Sequence, residues 1–147
     1  MTKGIKVKKR NGRLESINLD KINKCAERAA KGIENVSSSE IVLDASIQLY
    51  DKIPTSEIDK ALIMSTRSKI EKEPNYTYVA ARMLLNNLYK EVFGETVDSD
   101  VFELQYKKNF ISNIKKLVKA GRLSPKLLEY DLKLLSEKMD IGRDLLF

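Results

Sequence analysis

Between Ile5 and Ile22 the chain places side chains that could do binding chemistry at a spacing that groups them. The dipeptide Asn11-Gly12 marks a turn whose backbone needs positive φ, and apolar residues alternate on either side of it. Register decides what such a hairpin can hold. A two-residue turn would oppose Val7 to Ser16 and leave neither face apolar. A three-residue loop, with Gly12 as the left-handed bulge residue, gathers Ile5, Val7, Lys9, Arg13, Glu15 and Ile17 on one face. That face offers apolar residues to clamp a flat ring, cations for phosphate and a carboxylate to accept a hydrogen bond. The three-residue register is therefore expected. A second reading stands beside it, in which a Lys- and Arg-rich hairpin is a solvated edge that discourages strand-to-strand aggregation.

The elements that must position this face follow in order. Asn18 is an N-cap and Asp20 favours the first turn of a helix whose stripe is Ile22, Cys25, Ala26, Ala29, Ala30 and Ile33, ending at Gly32 and Asn35. Ser37-Ser38-Ser39-Glu40 starts a second helix, with Ile41, Val42, Ala45, Ile47, Leu49 and Tyr50 on its apolar face and Pro54 as its stop; the pattern from Ile41 to Leu49 is imperfect and leaves an extended stretch open as the other reading. A third begins at Thr55-Ser56-Glu57, where Ser56 and Asp59 have capping-box spacing and Ile58, Leu62, Ser65 and Ile70 face inward. Pro74 suits the first turn of a fourth, lined by Tyr76, Val79, Ala80, Met83, Leu84, Asn87 and Leu88 and ended by Gly94. The fold class expected is α+β, mainly α: a helical bundle capped by a small N-terminal β-hairpin or sheet, then further helices.

From Ser99 the style changes. Val101, Leu104, Ile111, Ile114 and Val118 form a broad helical stripe flanked by Phe102, Tyr106 and Phe110, followed by helices from Ser124-Pro125 and over 132–139. These segments carry more exposed-looking apolar residues than a finished small domain needs. The ending from Asp140 to Phe147 has no polar taper, so the chain reads as one that continues into another element.

Composition narrows the function classes. The 147 residues carry 27 Lys and Arg against 21 Asp and Glu, a formal charge of +6, which invites an anionic partner. The cations are dispersed and not interleaved with aromatics, which counts against a single-strand-binding platform. Cys25 is the lone cysteine and there is no histidine, so a disulfide, a Cys-rich zinc site and the commonest general base are all missing. Cys25 fits a core position of its helix. No apolar run reaches the length of a membrane span and no signal peptide opens the chain, so a cytoplasmic protein is expected.

Several motifs, in order and at linked spacing, resemble a known family. Lys8-Lys9-Arg10-Asn11-Gly12, Glu15, Ile17-Asn18-Leu19-Asp20-Lys21-Ile22, Ala29-Ala30, Asn35-Val36-Ser37, Tyr50-Asp51, Thr55-Ser56-Glu57-Ile58 and Tyr76-Thr77-Tyr78-Val79-Ala80-Ala81-Arg82 are similar to the ATP-cone. That is the regulatory domain at the N-terminus of class I ribonucleotide reductase large (alpha) subunits. The resemblance covers roughly residues 5–95 and divides the chain into a cone over 1–95 and, over 96–147, a helical lead-in to a catalytic barrel the chain does not contain.

The resemblance implies an allosteric switch that binds ATP as activator or dATP as inhibitor, with Mg²⁺ accompanying the triphosphate. It implies nucleotide-contacting positions at Val7, Lys9, Arg10, Glu15, Ser16, Ile17, Asn18, Leu19, Asp20, Lys21, Ile22, Thr55, Ile58, Asp59 and Lys90. By residue type, Lys9, Lys21 and Lys90 would meet the phosphates as point charges. Glu15 and the backbone near Asn18 would meet the adenine edge, Val7, Ile17 and Ile22 its faces, and Thr55 would donate from a helix start.

The family often has His four residues after the Thr55 position. Asp59 stands there, which puts ATP-against-dATP discrimination in question; the other reading of Asp59 is closure of the Ser56 capping box. The radical-bearing and redox cysteines of the parent enzyme are absent, so the chain is expected to bind and not to catalyse. Its partners would be nucleotide and, in the parent enzyme, the large-subunit dimer and the radical-generating small subunit, with no membrane and no nucleic acid. Two alternatives remain: the cone of a nucleotide-sensing transcriptional repressor, which would carry a four-Cys zinc ribbon ahead of it, and a small basic nucleic-acid-binding module.

Overall fold

The computed structural model describes residues 4–93 and 99–146. Two compact units divide the chain, Met1–Leu88 and Tyr89–Phe147.

The first unit opens with strands β1 (Lys6–Lys8) and β2 (Leu14–Ser16), paired antiparallel with Val7 opposite Glu15 and Lys8 opposite Leu14. This is the three-residue-loop register. Lys9 N–H donates to the Arg13 carbonyl at 2.8 Å, Gly12 N–H closes the loop onto the Lys9 carbonyl at 2.9 Å, and Gly12 has φ +83°. A side chain is disfavoured at that angle, which is why the Asn-Gly pair reveals the register. A short third strand, β3 (Ile53–Pro54), joins β1 in parallel and gives the order β2-β1-β3.

Helix α1 (Leu19–Ala30) starts where Asn18 Oδ1 accepts the Lys21 N–H at 3.1 Å, and α2 (Ser38–Ser46) starts where Ser37 Oγ accepts from Glu40 N–H. Helix α3 (Thr55–Arg67) follows β3 directly, and α4 (Tyr76–Phe93) follows a turn that contains Pro74. The core of the unit joins the sheet to all four helices: Val7 and Ile53 pack with Ala26, Ala29, Ile41, Ala45, Ile58, Leu62, Tyr76, Val79 and Met83. Alanines at the contacts let these backbones approach closely.

Four expectations need correction. Helix α2 stops at Ser46, so Ile47 and Tyr50 do not face inward and are 81% and 50% exposed, while a turn through Lys52 at φ +63° leads into β3. The N-cap of α3 is Pro54, without a side-chain hydrogen bond, so Ser56 lies inside the helix and forms no capping box with Asp59. Ile70 packs against the core from the turn after α3 and not from the helix itself. Leu84 and Leu88, expected inward on α4, are exposed. Gly94, expected to end α4, lies outside the described residues.

The Tyr76-to-Arg82 motif braces the helices. Tyr76 is buried and its hydroxyl accepts the Ser37 N–H at 2.9 Å, at the start of α2. Arg82 donates to the carbonyls of Ala29 (3.2 Å) and Lys31 (2.7 Å), at the end of α1, where unpaired carbonyls and the helix dipole favour a cation.

The second unit contains the last residues of α4, then α5 (Ser99–Lys119), a 3₁₀ turn over Pro125–Glu129, α6 (Leu132–Glu137) and a second 3₁₀ turn over Ile141–Leu146. Tyr89, Phe93, Phe102 and Tyr106 form an aromatic cluster, with ring centroids 4.7 Å apart for Tyr89 and Phe102. Both tyrosine hydroxyls donate to Asp144 Oδ2, at 2.5 Å from Tyr89 and 3.2 Å from Tyr106. Burial raises both phenol pKa values, and the Asp144 carboxylate adds to the effect. Leu128, Tyr130, Leu134, Leu135, Leu145 and Leu146 are all exposed, in keeping with the apolar excess read from the sequence.

Candidate functional site

The charged end of the hairpin and the start of α3 are brought together by strand pairing. On the hairpin face Lys9 Nζ lies 3.7 Å from Glu15 Oε2, the diagonal contact expected between same-face neighbours on adjacent strands. The parallel register sets Lys8 opposite Pro54. Lys9 and Thr55 are the residues that follow that pair in their two segments. Thr55 is the first residue of α3, and no side chain caps that helix. A cation therefore stands next to a helix start whose first N–H groups point away from the helix, an arrangement that favours a negatively charged group.

The second part of the site is the junction of β2 and α1. An open groove of about 510 Å³ is lined by Gly4, Ile5, Ser16, Ile17, Asn18, Leu19 and Asp20. Five of these, Ser16 through Asp20, are consecutive residues expected at the site from the sequence. The groove lies where the chain leaves β2 at Ser16 and enters α1 at Leu19, with Ile17 N–H donating to the Ile5 carbonyl at 3.0 Å and Asn18 capping the helix.

The remaining residues fall into three groups. Val7 and Ile58 are buried in the core, 5% and 7% exposed, and support the site from behind; Ile17 and Ile22 pack at the margin of that core. Arg10, at the hairpin tip, donates to Asn87 Oδ1 of α4 at 3.5 Å, which ties the hairpin to that helix. Asp59 is partly buried one helical turn after Thr55, on the same face. Lys21 is exposed in the first turn of α1, and Lys90 lies in the last turn of α4, among the residues of the second unit.

Sequence reasoning missed β3 and the part played by the turn before it. Asp51 Oδ1 accepts the Lys6 N–H at 2.9 Å, and Tyr50 donates to Glu57 Oε2 at 3.1 Å. The Tyr50-Asp51 pair is visible in the sequence only as part of the family resemblance.

Another groove, of about 520 Å³, borders α2 and the α3–α4 connection. Its Lys69 ammonium sits 2.6 Å from Asp44 and 3.7 Å from Glu40, and the bond to Asp44 raises its pKa. That cation is neutralised internally, and none of the residues expected to bind ligand lines the groove. The hairpin end is the better candidate.

A small sheet packed with four helices, with a cation and a helix start at its hairpin-loop end and an open groove where β2 leaves for α1, defines a module suited to a phosphate-bearing ligand. A family model described as "ATP cone domain" matches residues 5–91, and the chain belongs to that family. It is also similar to proteins named ribonucleoside-diphosphate reductase subunit alpha. The identity is 39% to that of Buchnera aphidicola (Schizaphis graminum), over 88% of this chain and 16% of the relative. It is 33% to reductase 1 subunit alpha of Escherichia coli, over all of this chain and 19% of the relative, and 36% to the Helicobacter pylori subunit, over 97% and 17%. The chain thus spans less than a fifth of the length of these relatives.

Proposed function

We propose that residues 1–95 are the allosteric activity switch of a ribonucleoside-diphosphate reductase alpha subunit, binding ATP as activator and dATP as inhibitor, and that 96–147 lead into its catalytic domain. The observation that carries the reading is the strand pairing of Lys8 with Pro54, the N-cap of α3, on the hairpin whose next residue, Lys9, pairs with Glu15. Membership of the ATP-cone family and likeness to reductase alpha subunits support it.

The residues present fit a nucleoside triphosphate. Phosphate would meet Lys9 and the first N–H groups of α3, with Lys21 and Lys90 as further point charges. The adenine edge would meet Glu15 and the backbone from Ser16 to Asp20, and its faces would meet Ile17 and Ile22. Among the described residues no group of three or more His, Cys, Asp or Glu side chains is placed to hold a metal ion. Mg²⁺ would accordingly travel with the triphosphate. Asp59 would lie by the ribose, where a carboxylate accepts a hydrogen bond from the 2′-hydroxyl that dATP lacks.

In the parent enzyme the switch would act on the large-subunit dimer and its radical-generating small subunit. A cytoplasmic location fits this role, and no described helix is long and apolar enough to cross a membrane.

Calorimetry of the whole chain with ATP and dATP in the presence of Mg²⁺ tests the proposal. Saturable binding of both nucleotides is expected, with GTP much weaker. Equal heats for every nucleotide, or strongly salt-dependent binding of duplex DNA with no preference for ATP, would overturn it.

A further inference from the structure

β3 is only two residues long, and one of them is Pro54, which has no N–H to give to the ladder. A parallel pair this short carries few backbone bonds, so its register is weakly specified by the strand alone. Yet that register decides which residue of the β3–α3 junction stands opposite Lys8, and so where α3 begins against the hairpin. A slip by one residue would move Pro54 off Lys8, shift the start of α3 along the hairpin and draw Ile53, 2% exposed, out of the core.

What holds the register lies just before the strand. Lys6 gives both of its backbone groups to the turn at 51–52: its N–H donates to Asp51 Oδ1 at 2.9 Å, and its carbonyl accepts the Lys52 N–H at 2.8 Å. The first of these is a carboxylate bond, stronger than a neutral one, and stands in for a ladder rung that the strand is too short to supply. At the other end of the segment, Tyr50 donates to Glu57 in the first turn of α3. The chain from 50 to 57 is clasped to β1 on one side and to α3 on the other.

We infer that Asp51 is a positioning residue for the nucleotide site, acting through the Lys6 backbone to hold β3 in the register that sets Pro54, and with it the start of α3, against Lys8 of the hairpin. The inference rests on the nucleotide reading above and assigns Asp51 no contact with the ligand. Because the effect is transmitted through the phosphate end, it should fall on ATP and dATP alike.

The experiment compares wild type, Asp51→Ala and Asp51→Asn in the whole chain, by calorimetry with ATP and with dATP and by amide exchange at Lys6. Asp51→Ala should weaken both nucleotides by about fivefold or more at an unchanged ratio, with faster exchange at Lys6. Asp51→Asn keeps an oxygen acceptor and should recover most of the affinity and the protection. Tyr76→Phe, which weakens a brace at the start of α2, serves as the stability control and should lower the melting temperature without moving affinity.

Wild-type affinity in Asp51→Ala would overturn the inference while leaving the nucleotide reading intact. So would an equal loss in Tyr76→Phe, or an Asn variant as impaired as the Ala variant. A wild-type chain that binds neither nucleotide would remove the nucleotide reading and this inference with it. If Asp51→Ala does not fold, Asp51→Glu, which shifts the carboxylate by one methylene, takes its place with the same loss expected.

Discussion

Lys9 is partly exposed, and its ion pair with Glu15 is of the kind that contributes little to folding, about 0–1 kcal/mol. Its proposed value is toward a ligand. A charge-assisted contact with phosphate contributes on the order of 1.5–3 kcal/mol, so Lys9→Ala should weaken ATP and dATP alike by tenfold or more. The same loss is expected for Lys21→Ala. Titration calorimetry and a melting curve check both halves, since affinity should fall while the melting temperature stays nearly constant. Unchanged affinity in Lys9→Ala would place the phosphates elsewhere. Asp59 calls for a different measurement. Pro54 is the N-cap of α3, so Ser56 is not the capping residue expected to pair with Asp59. Asp59→His should change the ratio of ATP to dATP affinity, because the two ligands differ only at the 2′ position, and should reduce or reverse a preference for ATP. A ratio that stays fixed while both affinities move together would rule out a sugar-sensing role.

Among the elements, the turn between α2 and β3 carries a local strain that substitution can expose. Lys52 has φ +63°, a left-handed conformation that costs an L-residue with a side chain about 1–2 kcal/mol. Glycine adopts it freely but gives up more entropy on folding. Lys52→Gly should therefore stabilise the chain by up to ~1 kcal/mol, read as a rise of a few degrees in melting temperature; a fall would show that the Lys52 side chain contributes more than its backbone angle costs.

The same turn shows where sequence reading stops. The hairpin register was legible because Asn11-Gly12 and the alternation from Ile5 to Ile17 leave one pairing with a coherent face. The caps at Asn18 and Ser37 were legible because a side chain completes them locally. β3 was not, since two residues cannot display a period, and the spacing of Ile41, Ala45, Ile47 and Leu49 imitates a helix that continues. The pairing of Lys8 with Pro54, which brings the start of α3 to the hairpin, joins distant segments and has no local signature; only the family resemblance pointed to Thr55. The inward face expected at Leu84 and Leu88 failed because helical spacing defines a stripe without saying how far along the helix the core extends.

At the scale of the molecule, burial is concentrated in the first unit, whereas among the described residues of the second only Leu132 and Ser136 are buried. The second unit relies instead on the aromatic cluster and on Asp144, which accepts two phenol bonds. Tyr89 and Tyr106 have pKa values raised above the ordinary 10 by burial and by that carboxylate. A phenol whose pKa is higher folded than unfolded contributes stability that is complete below about pH 10 and is lost as pH climbs toward the folded value. The denaturation midpoint should accordingly hold between pH 8 and 9.5 and fall above 10. Tyr89→Phe should lower the midpoint at pH 8 and flatten the alkaline fall; an equally steep fall in the variant would assign the effect to other groups.

Every buried member of the first unit's core lies between Val7 and Met83. Synthesis runs from the N-terminus, at about 5–20 residues per second, and domains generally fold as units in that order. All the side chains that support the hairpin, the β2–α1 groove and the start of α3 are thus supplied early, within seconds and before the aromatic cluster has been made. The core beneath the proposed sensor is supplied ahead of the second unit, whereas Lys90, one of its proposed phosphate contacts, arrives only with that unit, so a nucleotide met early in translation would be held without it.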